Sequence, residues 1–119
     1  MSIVFFQKYE IKNFNNYTFI EFYGDIDDSV CPNYKESIST LIKENRTKDI
    51  VLDFKNVTFI DSSGIGFILG RYNQVKTNRK KLYVSNTNEH IKKLFKISGI
   101  YTIIKEFEGE RIGAKWQIN

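Results

Sequence analysis

The sequence predicts an α/β domain: a small, mixed but mostly parallel β-sheet with crossover helices. Three observations carry that prediction. Short aromatic and β-branched runs alternate with segments of helical apolar spacing, in the order β-β-α-β-α-β-α-β. Strands separated by helices are joined as parallel neighbours through right-handed crossovers. The run Ile50-Val51-Leu52-Asp53-Phe54 is nearly continuously apolar, as a strand covered on both faces should be. With 119 residues, no repeat and no Pro/Gly/Ser-rich linker, the chain reads as a single domain over 1–119.

Each element has its own warrant. Residues 3–9 and 17–23 read as strands, with Lys12-Asn13-Phe14-Asn15-Asn16 as the turn between them. Thr18, Ile20 and Phe22 share one face, and Tyr17, Phe19, Glu21 and Tyr23 the other, which suits a sheet only partly covered. Acidic residues and Ser29, ahead of Pro32, are helix-start chemistry, and Tyr34, Ile38, Leu41 and Ile42 form one buried stripe. Ile65, Ile68, Leu69, Tyr72 and Val75 mark a second helix. Leu82-Tyr83-Val84 is a short strand. Thr87 or Asn88 caps a third helix, which buries Ile91, Leu94 and Phe95 and stops at Gly99. Residues 100–104 read as the last strand, and residues 108–119 as an unassigned segment that admits a helix.

The composition excludes several functions. No apolar run approaches the roughly 18 residues of a membrane span, and the N-terminus has no signal-peptide pattern, so the expected location is cytoplasmic. Cys31 and His90 are the only residues of their kinds, which rules out an internal disulfide and a Cys/His zinc cluster. No metal, cofactor or catalytic set is expected. The net charge of +4 comes largely from two groups, Lys76 with Arg79, Lys80 and Lys81, and Lys92 with Lys93 and Lys96. Both fall on or beside expected helices, where charges form solvated faces, so nucleic-acid binding is the lesser reading.

The stretch FIDSSGIGFILG, residues 59–70, raises the functional question. Phe59 and Ile60 read as buried, and between them and Ile65 lie only Asp61, Ser62, Ser63 and Gly64. This is a strand-to-helix loop at the carboxyl edge of a sheet, where α/β proteins place their sites. Gly64, Gly66 and Gly70 have the wrong spacing for a dinucleotide loop, no Gly-x-Ser-x-Gly elbow is present, and no Gly-Lys-Ser/Thr follows. Two readings remain. Ser62 is the helix N-cap, with a contribution of about 1 kcal/mol. Alternatively it accepts a phosphate, which a helix N-terminus can hold and which adds about −1.5 to −2 charge to a docking surface.

At this point the sequence resembles a known family. NVTFIDSSGIGFILGRYNQVK and KLYVSNTNEHIKKLFKISGIYTIIKEF are similar to the anti-sigma-factor antagonists, the sulfate-transporter and anti-sigma-antagonist (STAS) domain proteins. The resemblance spans residues 17–107 and includes Gly24-Asp25-Ile26-Asp27, where the family has Gly-Glu-Leu-Asp. Gly70-Arg71-Tyr72 and Ser63 lean toward the sporulation branch over the general-stress branch. The resemblance implies a non-enzymatic protein whose unphosphorylated form binds an anti-sigma factor that is also a serine kinase; a monomer is the default expectation, as the sequence leaves the oligomeric state open. Phosphorylation then ends binding, and a metal-dependent phosphatase restores it. The implied acceptor is Ser62, with Ser63 as second choice. The implied docking residues are Gly24, Asp25, Asp27, Asp61, Ser62, Ser63 and Gly64.

Overall fold

Strands β1 (Tyr9–Phe14) and β2 (Tyr17–Tyr23) form an antiparallel hairpin with Phe14 opposite Tyr17. The computed structural model describes residues 9–112 and 115–118, with side chains over 9–108. The turn is therefore shorter than the polar segment suggested. Lys12, Asn13 and Phe14 pair in the ladder, and only Asn15 and Asn16 turn the chain, with Asn15 at φ 52°. Asparagine tolerates that left-handed conformation because its short side chain bonds locally. The expected strand over residues 3–9 is met at Tyr9, and the rest of that span lies outside the described residues.

The remaining elements keep the expected alternation. They are α1 (Cys31–Glu44), β3 (Asp49–Asn56), α2 (Ser62–Thr77), β4 (Leu82–Ser85), α3 (Glu89–Ser98) and β5 (Lys105–Glu106). The sheet order is β1-β2-β3-β4-β5, and every pair after the first is parallel. Ile20, Phe22, Leu52, Phe54 and Val84 face the helices, meeting Tyr34, Ile38 and Ile42 of α1, Ile68 and Val75 of α2, and Ile91 and Phe95 of α3. Burying one such side chain stabilises the fold by about 1.5–3 kcal/mol, and this layer is the main source of stability.

The opposite sheet face is better covered than the alternation implied. Phe19 and Val51 are fully buried there, flanked by Phe14, Tyr17, Tyr83 and Phe107. Phe107 stands edge-on to Tyr17 and Phe19, with centroids 5.1 and 5.4 Å away. Glu21 is buried on the same face and pairs with Lys12 at 3.3 Å.

Three further expectations are corrected. Residues 100–104 are not a strand. Gly99, at φ 82°, ends α3, and a single 3-10 turn over Ile100–Thr102 comes next. Ile100 and Ile104 are both buried one helical turn apart, so the apparent run of apolar residues had a helical spacing instead. The parallel strand arrives only at Lys105. At the C-terminus, β6 (Gly109–Ile112) and β7 (Lys115–Ile118) pair as an antiparallel hairpin where a helix was considered. At α1 Pro32 opens the helix as expected, but Ser29 does not cap it: the N-cap is Val30, with no side-chain bond.

Candidate functional site

Two loops meet at the carboxyl edge of β2 and β3. The β2–α1 loop carries Gly24, Asp25, Ile26 and Asp27, and the β3–α2 loop carries residues 57–61. Their backbones are zipped together. Gly24 N–H donates to Asn56 O at 3.0 Å, Ile26 N–H to Phe59 O at 3.0 Å, and Asp61 N–H to Ile26 O at 3.2 Å. This is an isolated parallel bridge between Ile26 and Ile60, each only 1% exposed. Thr58 adds a side-chain tie, its Oγ1 donating to Asp25 Oδ1 at 2.8 Å. Asn88, at the start of α3, donates to Val57 O and Thr58 O while its Oδ1 caps Ile91 N–H. An edge made of loops is thus held by ladder-like bonds.

Asp61 performs the capping that the sequence reading gave to Ser62. Its Oδ1 accepts from Ser63 N–H at 2.8 Å and Gly64 N–H at 3.2 Å, and its backbone is extended. Aspartate and serine are near-equal caps, so residue type does not choose between these two neighbours. Ser62 becomes the first residue of α2, exposed, and its hydroxyl makes no hydrogen bond among the described residues. Ser63 is half-buried. Gly64 is buried, and a Cβ there would overlap the Ile60 side chain and lie 3.1 Å from Ile26 O. Its smallness lets α2 start directly against the Ile26–Ile60 bridge.

Asp27 organises the other loop. Its Oδ1 accepts the Ser29 N–H at 3.0 Å and the Ser29 hydroxyl, and its carbonyl accepts from Val30 and Cys31 N–H. Burial, and then the negative charge of Asp61, Asp27 and Asp28, pushes the Cys31 thiol up to about 11. The carboxylates of both loops therefore act on one point between the helix starts. Among the described residues no three His, Cys, Asp or Glu side chains converge as a metal site requires, and no helix is long and apolar enough to cross a membrane.

The sequence reading placed Asn88 as a cap of α3 but missed its tie to Val57 and Thr58, the Thr58–Asp25 bond and the Ile26–Ile60 pair. Those contacts join residues 30 or more apart and leave no local signal. It also misplaced Phe59, which is 43% exposed and stacks on His90 at 5.7 Å. An aromatic residue beside a strand reads as core, whereas this one lies flat on the surface.

This arrangement, a mostly parallel sheet with a helix-opening Asp-Ser-Ser-Gly at its edge, is that of a STAS domain. The STAS domain family matches residues 7–111, and the chain belongs to that family. It is similar to an anti-sigma-B factor antagonist from Staphylococcus aureus, 29% identical over 75% of this chain and 82% of that protein. It is also similar to an anti-sigma F factor antagonist from Paenibacillus polymyxa, 27% identical over 85% of this chain and 86% of that one. The anti-sigma factor antagonist SpoIIAA in its unphosphorylated form shares the fold, with TM-score 0.64 and 20% identity over 90% of this chain and 89% of that one. SpoIIAA in its phosphorylated form gives TM-score 0.65 and 24% identity over 84% and 92%.

Proposed function

We propose that this chain is an anti-sigma-factor antagonist: a non-enzymatic, cytoplasmic, monomeric module whose unphosphorylated form binds an anti-sigma factor with serine-kinase activity. Phosphorylation of Ser62 by that partner switches binding off, and a serine phosphatase reverses it. The observation that carries this reading is the exposed Ser62 hydroxyl at the first turn of α2, unbonded and beside a backbone already fixed by Asp61. A kinase can reach it without unfolding the site. Ser63 is the second choice because it is half-buried.

The physical consequence of the phosphate is local. The N-terminus of α2 tolerates the added charge through its N–H groups and dipole. Asp61, Asp27 and Asp28 already make the surroundings negative, so the phosphate raises a field that an acidic partner surface would meet at once. Asp25 and Asp27, on the loop zipped to Asp61, belong to the same docking surface. Gly24 and Gly64 shape it through the backbone. Relatives named for sigma B and for sigma F are about equally similar, so the general-stress branch stands as the alternative to the sporulation branch.

The test is intact mass after incubation with magnesium, ATP and the cognate anti-sigma kinase. Wild type is expected to gain one phosphate and Ser62→Ala none. A gain in both moves the acceptor away from Ser62. Gain in neither, with the kinase active on a control antagonist, leaves an unswitched scaffold of the same fold.

A further inference from the structure

Helix α2 presents a second surface beside Ser62. Cys31, Pro32 and Lys35 of α1 form one wall of an open groove of about 510 Å³, and Ser63, Gly66 and Gly70 of α2 form its floor. A Cβ added at Gly66 or Gly70 would meet nothing within 4 Å, so helix packing does not require either glycine. Glycine inside a helix is unfavourable relative to alanine, and here its effect is to keep the floor open.

Arg71 closes the groove and is only 6% exposed. Long side chains on a helix lean toward its N-terminus, and the guanidinium accordingly lies over the Phe67 ring at 5.2 Å. Its Nε and Nη1 are enclosed and have no hydrogen-bond partner among the described residues, Nη2 is not among the enclosed atoms, and the side chain lines the groove. No carboxylate pairs with Arg71 among the described residues. A cation over one ring face does not satisfy five N–H donors, and a buried charge without a counter-ion opposes folding. Among the lining residues Asp28 is offset in charge by Lys35, which leaves Arg71 as the excess charge of the lining, while Asp27 and Asp61 act on Cys31 from the loop end.

We propose that this groove is a second docking site for the protein that covers Ser62, and that it receives an Asp or Glu side chain of that partner on the Arg71 guanidinium. The assignment rests on the functional reading above, because continuity with the Ser62 surface supplies the occupant. Ser63, the next residue, forms the near end of the groove, so a protein seated over Ser62 reaches it. Phe67 and the bare glycine backbone accept the apolar stem of the acidic side chain. The missing counter-charge of Arg71 is then supplied in the complex.

The experiment is calorimetric titration of the full chain with the cognate anti-sigma factor, with Tm recorded for each variant. Arg71→Met is expected to weaken binding at least about tenfold, the scale of a charge-assisted hydrogen bond, while Tm holds or rises because an unpaired buried charge is gone. A purely structural arginine would give the opposite pair, a lower Tm and unchanged affinity. Gly70→Leu sends a side chain into the groove from a position where the first added carbon meets nothing within 4 Å, and is expected to weaken binding at unchanged Tm; it also decides the matter if Arg71→Met fails to fold. Wild-type affinity in Gly70→Leu and in any folded Arg71→Met overturns the groove assignment alone. If wild type itself does not bind, the functional reading fails and the groove assignment falls with it.

Discussion

Helices α1 and α2 start from nearly the same words, Asp27-Asp28-Ser29 and Asp61-Ser62-Ser63, yet the two starts are built differently. In both, an aspartate Oδ1 accepts the N–H of the serine two residues on, at 3.0 Å in the first and 2.8 Å in the second. In both, the middle residue is thrown outward to solvent. Behind Asp61 the chain goes straight into the helix, because Gly64 brings a second N–H onto the same oxygen and no side chain intervenes. Behind Asp27 come Val30 and Cys31, and the helix begins without a side-chain cap. The Ser29 hydroxyl is consumed by Asp27, while that of Ser62 is left over. The same turn thus makes a structural corner in one place and a chemically available hydroxyl in the other, and the residues just beyond the turn decide which.

The largest disruption of this contrast is expected at Gly64. Gly64→Ala forces a methyl against Ile60 and the Ile26 carbonyl, neither free to move, and should destabilise the fold by about 1–3 kcal/mol in urea denaturation. A wild-type midpoint would mean that α2 can shift away from the bridge. Asp61→Ala removes the cap from two N–H groups and is expected to lose about 1 kcal/mol. Ser62→Ala should stay within about 0.5 kcal/mol of wild type, as for other surface changes. If Ser62→Ala cost more than Asp61→Ala, the assignment of the cap would be reversed.

The smallest effect concerns Cys31, between the two helix starts. Its thiol is raised from 9.0 to about 11, first by burial and then by the carboxylates of Asp61, Asp27 and Asp28. A folded-state value above the unfolded one contributes stability that is complete below pH 9 and is lost as pH rises through about 11. The difference in unfolding midpoint between wild type and Cys31→Ser should therefore be constant up to about pH 9 and shift against wild type above it. In the native protein the rate of thiol alkylation should still be climbing at about pH 10, where an ordinary cysteine has levelled off. A rate already level at about pH 10 would show that neither burial nor the three carboxylates raise the thiol.

Elements with local chemistry were legible before the structure. Asn88 and Gly99 bracket α3 because both act within a few residues of themselves. The central strand β3 was written in a nearly continuous apolar run, and β2 and β4 in short aromatic and β-branched runs. Elements defined across the fold were not legible. Ile100 and Ile104 look like a strand until the left-handed Gly99 starts a tight turn in which both face the core. Phe19 looks half-exposed until Phe107, 88 residues later, comes to rest on it. At the site, the motif located Ser62 and Asp61 but assigned the cap to the wrong one, since the register of a helix start is one residue wide and both residue types suit it. The buried Arg71, without a carboxylate partner among the described residues, was present only as one letter of a family pattern; its burial is a property of the folded chain.

The Ile26–Ile60 bridge limits which lengths of chain this edge can accept. Surface connections ordinarily tolerate insertions and deletions. The connection through Asn45–Lys48 and the one through Asn78–Lys81 fit that rule, being polar and outside the core. The segments on either side of the bridge do not. One residue added between Gly24 and Ile26, or between Val57 and Ile60, would turn the isoleucine outward and bring a polar neighbour into the core, as in a strand slipped by one position. These two loops are therefore expected to keep their length across changes of sequence that the other connections absorb.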